Sequence, residues 1–257
     1  MSKQSLDSDM PLLSHLIELR NRLLRSVLVI LVLFIGLAIF ANDLYQILAQ
    51  PLIAKLPEGS NLIATEVTSP LFAPFKLAFA VAFFIAIPFV LHQAWMFISP
   101  GLYRHEKRFA IPLLISSIVL FYAGMTFAYF IIFPIIFGFL SSVGPEQVTY
   151  LPDINSVLSI MLKLFFAFGL AFEIPIATML LIWSGLTTSQ ALADKRPYIV
   201  VGVFIFAMLL TPPDVISQVL LAIPMWLLFE LGLIFAKLFP VKKPATQENE
   251  NVAEEEI

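Results

Sequence analysis

Glu173 is a carboxylate inside an apolar run that extends from about residue 157 to 183. A charge at the centre of a bilayer costs about 2.5–3.5 kcal/mol on insertion scales, so this side chain should avoid lipid. Two interpretations stay open: Glu173 is protonated and hydrogen-bonded to a neighbouring helix, or it belongs to a wet or partner-facing functional surface. Pro175 removes a backbone donor close by, which predicts a bend in the helix.

A second carboxylate, Glu106, lies in a basic loop that follows the Pro100-Gly101 turn. Its arginine neighbours either neutralise it in a solvated loop or keep it ionised, ready to accept an external guanidinium in a bidentate fork. Glu18 has a similar position before the first apolar segment. Because Glu18 precedes Arg22 by four residues on a predicted helix, an ion pair between them is expected.

Two polar residues mark the start of the last apolar segment. Asp214 follows two prolines and is expected to cap a helix there, which is the simpler interpretation of this residue. Gln218 comes one turn later, inside the apolar segment, and so needs a hydrogen-bond partner.

Motifs of common enzymes are absent from the sequence: it has no H-E-x-x-H, G-x-S-x-G or Walker A pattern. The three histidines, His15, His92 and His105, lack the spacing of metal ligands, and the chain has no cysteine. The sequence therefore predicts a protein that is not an enzyme, with no catalytic residues, no metal and no cofactor.

Six apolar segments carry or border these residues, at about residues 23–40, 77–98, 109–137, 157–183, 198–210 and 215–236. Most contain the roughly 20 residues that an α-helix needs to cross about 30 Å of hydrocarbon, whereas the fifth would cover only about 20 Å. The chain is 60% hydrophobic and 13% charged, against about 45–50% and 25% in soluble domains. We therefore predict an all-α polytopic membrane protein with six transmembrane helices.

The regions outside these segments also have distinct patterns. Leucines at helical spacing in residues 12–23 predict an amphipathic helix that lies on the membrane surface and leads into the first segment. The apolar stretch 45–53 predicts a cap that lies on the membrane. Residues 241–257 are polar and acidic, which predicts a disordered tail and leaves residues 1–240 as a single membrane domain.

The positive charges predict the orientation, since cytoplasmic loops of membrane proteins carry the excess of lysine and arginine. Twelve of them cluster on one side, against three on or near the other: Lys3, Arg20, Arg22, Arg25, Arg104, Lys107, Arg108, Lys195, Arg196, Lys237, Lys242 and Lys243 against Lys55, Lys76 and Lys163. Both termini are therefore predicted to be cytoplasmic.

Four stretches of the chain resemble the TatC family, the multi-spanning receptor subunits of the twin-arginine protein translocase. The resemblance covers residues 12 to about 236, in order, with a compatible number of spans. The stretches are HLIELRNRL at 15–23, PGLY at 100–103 leading to Glu106-Lys107, FGLAFEIP at 168–175, and TPPD at 211–214 followed by Ser217-Gln218 and LAIPM at 221–225.

This resemblance implies roles for particular residues. Glu18 and Glu106 would contact the twin-arginine pair of a signal peptide, with Arg20 and Phe97 at positions that such proteins need for activity or signal recognition. A second set would serve the membrane groove and translocation: Glu173 on a membrane-embedded concave face, Pro51, and Asp214 and Gln218 near the outer end of spans five and six.

The resemblance also implies the function. Such a protein exports folded proteins across the bacterial cytoplasmic (inner) membrane, using the proton-motive force. Its partners would be TatA-like and TatB-like single-span subunits, twin-arginine signal peptides, further copies of itself and membrane lipid, but no nucleic acid. The alternative is a proton-coupled small-solute transporter with Glu173 as the proton relay. Transporters of that kind usually contain internal repeats, and no strong repeat is seen in this sequence.

Overall fold

A computed structural model of the protein describes residues 5–46, 63–65, 67–98, 110–142, 153–210 and 215–238, and this part of the chain is helical almost throughout. The helices are α1 (Ser5–Ala38), α2 (Ser69–Ile98), α3 (Ala110–Phe127), a π-helical segment (Ala128–Ile132), α4 (Phe133–Ser142), α5 (Ile154–Ala171), α6 (Ile174–Trp183), α7 (Ser189–Asp194), α8 (Arg196–Leu210) and α9 (Val215–Leu238). The predicted all-α class is confirmed.

Among the residues that the structure describes, five helical stretches are long and apolar enough to cross a membrane, judged by length and composition. They are Ser14–Ala38, Ser69–Ile98, Ile111–Ile136, Ile154–Trp183 and Gln218–Leu238, and the shorter apolar helix Arg196–Leu210 lies between the last two. These six stretches correspond in order to the six predicted segments. The fifth is the short one, as its sequence predicts.

The first helix differs from its prediction. Instead of a surface helix followed by a span, α1 is one helix of 34 residues. Neither proline nor glycine occurs between residue 12 and Gly36, so nothing in the backbone chemistry interrupts the helix where a surface segment would have to turn into the membrane. Most of its apolar side chains are exposed, as expected for a helix that faces lipid.

The helices that contain the second and third spans extend further than predicted. The second begins at Ser69, eight residues before the predicted start at residue 77, because Pro70 occupies its first turn, a position that suits proline. The third continues beyond residue 137 to Ser142 and contains the π-helical segment, in which the Phe133 N–H bonds to the Ala128 carbonyl. No sequence signal predicted this wider turn.

The fourth span bends where its sequence predicts. It consists of α5 and α6, separated by a turn at Phe172 and Glu173, and Pro175 occupies the first turn of α6. Proline is tolerated there because its missing N–H is one of the donors that a helix start leaves unpaired. The carboxylate therefore lies at a break in the span instead of on a continuous helix.

The buried core lies around the fourth span. Phe121, Phe133 and Phe168 are almost fully buried, and α5 packs against α3 while α6 packs against α9. Glycines allow the closest contacts: a Cβ atom at Gly124 would collide with the backbone carbonyl of Phe168, and one at Gly169 would meet the Phe121 ring at 2.6 Å. Small residues of this kind let membrane helices approach closely.

Candidate functional site

At the first candidate position, Glu18 forms the predicted ion pair within α1. The guanidinium of Arg22 donates from Nε and Nη2 to Glu18 Oε1, at 2.9 and 2.5 Å. Its Nη1 also donates to Oε1 of Gln93 on α2, at 3.4 Å. Both contacts to Glu18 use the same carboxylate oxygen, and the side chain remains 37% exposed. The carboxylate is thus held by one guanidinium while part of it stays open to solvent.

Phe97 lies near this ion pair. Its ring stacks on that of His15, with centroids 4.2 Å apart and an interplanar angle of 18°. His15 precedes Glu18 by three residues, so the two share a face of α1. Arg20 is exposed and donates to the Asn21 side chain at 3.3 Å. The structure therefore brings Glu18 and Phe97 to one end of the α1–α2 pair, with Arg20 on an adjacent face.

Glu173 is linked to the neighbouring third span. The hydroxyl of Ser117 on α3 donates to Glu173 Oε2, and Trp95 Nε1 on α2 donates to the same hydroxyl at 3.5 Å. The other carboxylate oxygen, Oε1, is buried and has no hydrogen-bond partner in the structure. Two successive hydrogen bonds, from Trp95 to Ser117 and from Ser117 to Glu173, thus connect the end of α2 that carries Phe97 to the break in the fourth span.

Gln218 has the hydrogen-bond partner that its position requires. Its Nε2 donates to the backbone carbonyl of Phe204 on α8, at 3.0 Å, which joins the fifth and sixth spans. The other three candidate residues, Glu106, Pro51 and Asp214, lie outside the described residues. The roles of all eight therefore remain predictions from the resemblance.

An ion pair that the sequence analysis did not single out joins α8 to α9. Arg196 Nε and Nη2 donate to the two carboxylate oxygens of Glu230, at 2.6 and 2.8 Å, in a bidentate fork. The sequence does contain a pattern that could have predicted this ion pair: a carboxylate inside the sixth span together with an arginine at the start of the fifth. In two consecutive spans separated by only four residues, these positions lie at the same membrane face.

Asp153 is a second polar site that sequence reasoning missed. It caps α5 by accepting from the Ser156 N–H at 2.9 Å, and it also accepts from the N–H and hydroxyl of Thr65, at 3.1 and 2.9 Å. The Thr65 N–H is the largest influence that lowers the pKa of Asp153 to about 2, since donors stabilise the charged form. This carboxylate fastens residues 63–65 to the start of the fourth span.

These features define a polytopic α-helical membrane protein with a candidate receptor surface. Its long apolar helices carry polar residues at the breaks and ends of spans, and a partly exposed carboxylate lies at one end of the bundle. Residues 14–224 match the family model of the Sec-independent protein translocase protein (TatC). The chain belongs to the TatC family.

Relatives in several bacteria support this assignment over nearly the whole chain. It is 56% identical over 243 residues to the Sec-independent protein translocase protein TatC of Azotobacter chroococcum mcd 1, covering 94% of this chain and 95% of that protein. It is 52% identical over 235 residues to the TatC of Escherichia coli (strain K12), covering 91% of each.

A solved structure also resembles the fold described above. The crystal structure of the twin arginine translocase receptor TatC is 43% identical in sequence and superimposes with a TM-score of 0.78, covering 87% of this chain and 98% of the other. None of these relatives supports the proton-coupled solute transporter.

Proposed function

We propose that this chain is the receptor subunit of a twin-arginine translocase, and that it binds the twin-arginine signal peptides of folded precursors at the end of the bundle that carries Glu18 and Phe97. The observation that carries this proposal is the Glu18 carboxylate: it already accepts a guanidinium from Arg22 through one oxygen, while its side chain remains 37% exposed. Carboxylates bind arginine through such charge-assisted contacts.

The charge distribution of the sequence supports the orientation in this proposal. The sequence predicts twelve lysines and arginines on the side that contains Arg20 and Arg22, and the positive-inside rule then makes that side cytoplasmic. Glu18 and Glu106 are then acidic groups on the side from which a basic signal peptide arrives. We place the protein in the bacterial inner membrane with both termini cytoplasmic.

The proposal includes partners. The chain works with TatA-like and TatB-like single-span subunits and with further copies of itself, and transport draws on the proton-motive force. We assign no catalytic step to the protein. Its part is recognition and assembly, with Glu173, Pro51, Asp214 and Gln218 serving the membrane-embedded side of the transport path.

Peptide binding tests the proposal. The purified full-length protein should bind a twin-arginine signal peptide more tightly than its twin-lysine version, because an ammonium cannot form the bidentate fork. Glu106→Gln should weaken arginine-peptide binding roughly 10- to 150-fold, which corresponds to the loss of a charge-assisted hydrogen bond of about 1.5–3 kcal/mol. Glu18→Gln should act in the same direction.

A matched control separates recognition from general electrostatics. Asp43 is an exposed carboxylate beyond the other end of α1, and Asp43→Asn removes the same charge. We expect it to leave peptide affinity unchanged. Unchanged affinity in folded Glu106→Gln and Glu18→Gln proteins, or equal binding of the arginine and lysine peptides, would contradict the proposed receptor function.

A further inference from the structure

Among the described residues, two exposed lysines lie within membrane-spanning helices and away from the first and last turns, Lys76 on α2 and Lys163 on α5. Within the part of the chain that the structure describes, neither forms an ion pair with a carboxylate. An ionised lysine within a span is costly unless its ammonium group reaches water, lipid headgroups or a partner. No carboxylate among the described residues supplies such an anionic partner.

The two lysines lie close together. Lys76 Nζ donates to the Ser159 hydroxyl and, at 3.3 Å, to the Asn155 side chain, so this side chain reaches from α2 to α5. Lys163 follows Ser159 by four residues and therefore lies on the same helix face, one turn further along. The two ammonium groups repel each other. Together they form a local double positive charge.

Their depth places them near one edge of the hydrocarbon. The second and fourth spans each contain 30 residues, about 45 Å of helix, which is about 15 Å more than the hydrocarbon thickness. If each span is centred in the bilayer, the rise per residue of a helix places the Cα atoms of Lys76 and Lys163 only about 3 and 6 Å inside the hydrocarbon. Their flexible stems can then carry both ammonium groups to the level of the headgroups.

An apolar groove lies beside the two lysines. Its volume is about 440 Å³, and it lies between α2, α3 and α5, with Leu77 next to Lys76 and Leu162 next to Lys163 among its lining residues. Phe84 and Phe165 line it further along the helices. Clefts of roughly 300–1,000 Å³ bind small ligands. In a bilayer, the apolar ligand available to such a groove is an acyl chain.

We propose that Lys76, Lys163 and this groove form a binding site for a membrane phospholipid with an anionic headgroup. The phosphate lies against the two ammonium groups and relieves their repulsion, and one acyl chain occupies the groove between α2, α3 and α5. A net-negative headgroup fits better than a zwitterionic one, because choline or ethanolamine adds a third cation beside the two lysines. The site is separate from the peptide-binding end and goes beyond the proposed function.

Lipid titration of the full-length protein tests this site. The purified protein in detergent is titrated with palmitoyl-oleoyl phosphatidylglycerol or with the matching phosphatidylcholine, and retained lipids are counted by native mass spectrometry. We expect tighter binding of phosphatidylglycerol. Lys163→Gln should weaken it roughly fivefold, and Lys76→Gln with Lys163→Gln roughly thirtyfold, as expected for basic residues near a membrane surface.

Two controls show whether the effect belongs to this site. Lys195→Gln and Lys237→Gln remove exposed positive charges elsewhere and should leave the affinity unchanged. Leu162→Phe adds volume in the groove and should weaken binding without changing any charge. Equal affinity for the two lipids, or equal losses in the control and site variants, would overturn the proposal. So would unchanged phosphatidylglycerol affinity in Lys163→Gln, an exposed position at which folding is not at risk.

Discussion

The described carboxylates near the candidate sites accept from three kinds of donor: guanidinium, hydroxyl and backbone N–H groups. Glu18 accepts a guanidinium from its own helix, Glu230 accepts one from the preceding span, and Glu173 accepts a hydroxyl from α3. Asp153 accepts backbone and hydroxyl donors at a helix start. Guanidinium donors compensate much of the cost of burying a carboxylate's charge, whereas a single hydroxyl in an apolar surrounding compensates much less of it. Among these carboxylates, Glu173 is therefore the one whose burial is least compensated by hydrogen bonds.

Asp153 should link stability to acid pH. Its pKa is about 2 in the folded protein, below the ordinary value of 3.8. A depressed folded pKa contributes stability above the ordinary value, and this contribution is lost as the pH falls from about 4 towards 2. In detergent, Asp153→Ala should lower the unfolding free energy by about 1 kcal/mol at neutral pH, the usual cost of losing a cap.

The matched variant Asp153→Asn keeps a capping side chain without the titrating charge. It should lose less stability than Asp153→Ala at neutral pH, and its unfolding midpoint should change less than that of the wild type between pH 4 and 2. A wild-type acid profile that is identical to that of Asp153→Asn would show that this carboxylate does not contribute.

Ser117 and Glu173 should be energetically coupled. Ser117 supplies the hydrogen bond to Glu173 Oε2, so Ser117→Ala leaves the carboxyl group without this donor and should cost about 1–3 kcal/mol of unfolding free energy. In a double-mutant cycle with Glu173→Ala, residues in contact give coupling energies of about 0.5–3 kcal/mol. Denaturant unfolding of the four proteins in detergent measures this value. Ser184→Ala, at a hydroxyl bonded to the Leu181 carbonyl, should be additive with Glu173→Ala, and additivity for Ser117 would contradict the contact.

At the scale of the helices, two spans depart from a regular α-helix for different reasons. The fourth bends at Phe172 and Glu173, ahead of Pro175, where a local residue type explains the change. The third contains the π-helical segment Ala128–Ile132, which has no proline or glycine. Its Ala128 and Ile132 are almost fully buried, and both belong to the core formed with α5. The packing therefore accounts for a turn that the local residue types do not predict.

Close packing of the third and fourth spans depends on Gly124. A Cβ atom there would collide with the backbone of Phe168, with its carbonyl carbon at 2.8 Å, and backbone cannot move aside as a flexible side chain does. Gly124→Ala should lower the unfolding free energy by about 1–3 kcal/mol, the usual cost of overpacking. Thermal unfolding in detergent provides the measurement.

Gly36 provides the control for this substitution. A Cβ atom there would meet nothing within 4 Å, so Gly36→Ala should be neutral or should stabilise α1 by up to about 1 kcal/mol, because alanine favours helix. If the two alanine variants unfold at the same temperature, the contact between the third and fourth spans is looser than the structure shows.

At the scale of the whole molecule, neighbouring spans differ greatly in length. Helix α8 contains 15 residues and α9 contains 24, about 22 and 36 Å. The short helix falls well below the roughly 30 Å of hydrocarbon, and tilting would shorten its reach further. Local thinning of the bilayer, snorkelling of Lys195 and Arg196, or cover by partner helices would resolve the mismatch. We favour thinning, because a thinner bilayer beside Glu173 would lower the barrier to a passing protein.

Lengthening the fifth span tests this hypothesis. Four leucines inserted after Ile205 add about 6 Å of helix and should impair transport in membrane vesicles, while the signal-peptide binding that we propose for Glu106 stays intact. The same four residues inserted after Asn251, in the acidic tail, should affect neither. Transport at the wild-type rate in a folded protein with the lengthened span would show that the short helix is only tolerated.

Several features follow from short stretches of sequence alone. Apolar segments long enough to span a bilayer predicted the helices, the spacing of Glu18 and Arg22 predicted their ion pair, and Pro175 predicted the bend. Such features depend on periodicity, length and backbone chemistry within one or two helical turns. The continuity of α1 and the early start of α2 were harder to predict, because helix boundaries depend on weaker local signals.

Tertiary structure decided which distant groups meet. Glu173 lies 56 residues from Ser117, Asp153 lies 88 residues from Thr65, and Lys76 lies 83 residues from Ser159. Apolar side chains gain little from leaving lipid for another helix, so hydrophobic pattern alone does not set how membrane helices rotate and shift against each other. Close contacts at residues such as Gly124 and Gly169 set the rotation and register of the third and fourth spans, and those in turn place Ser117 beside Glu173.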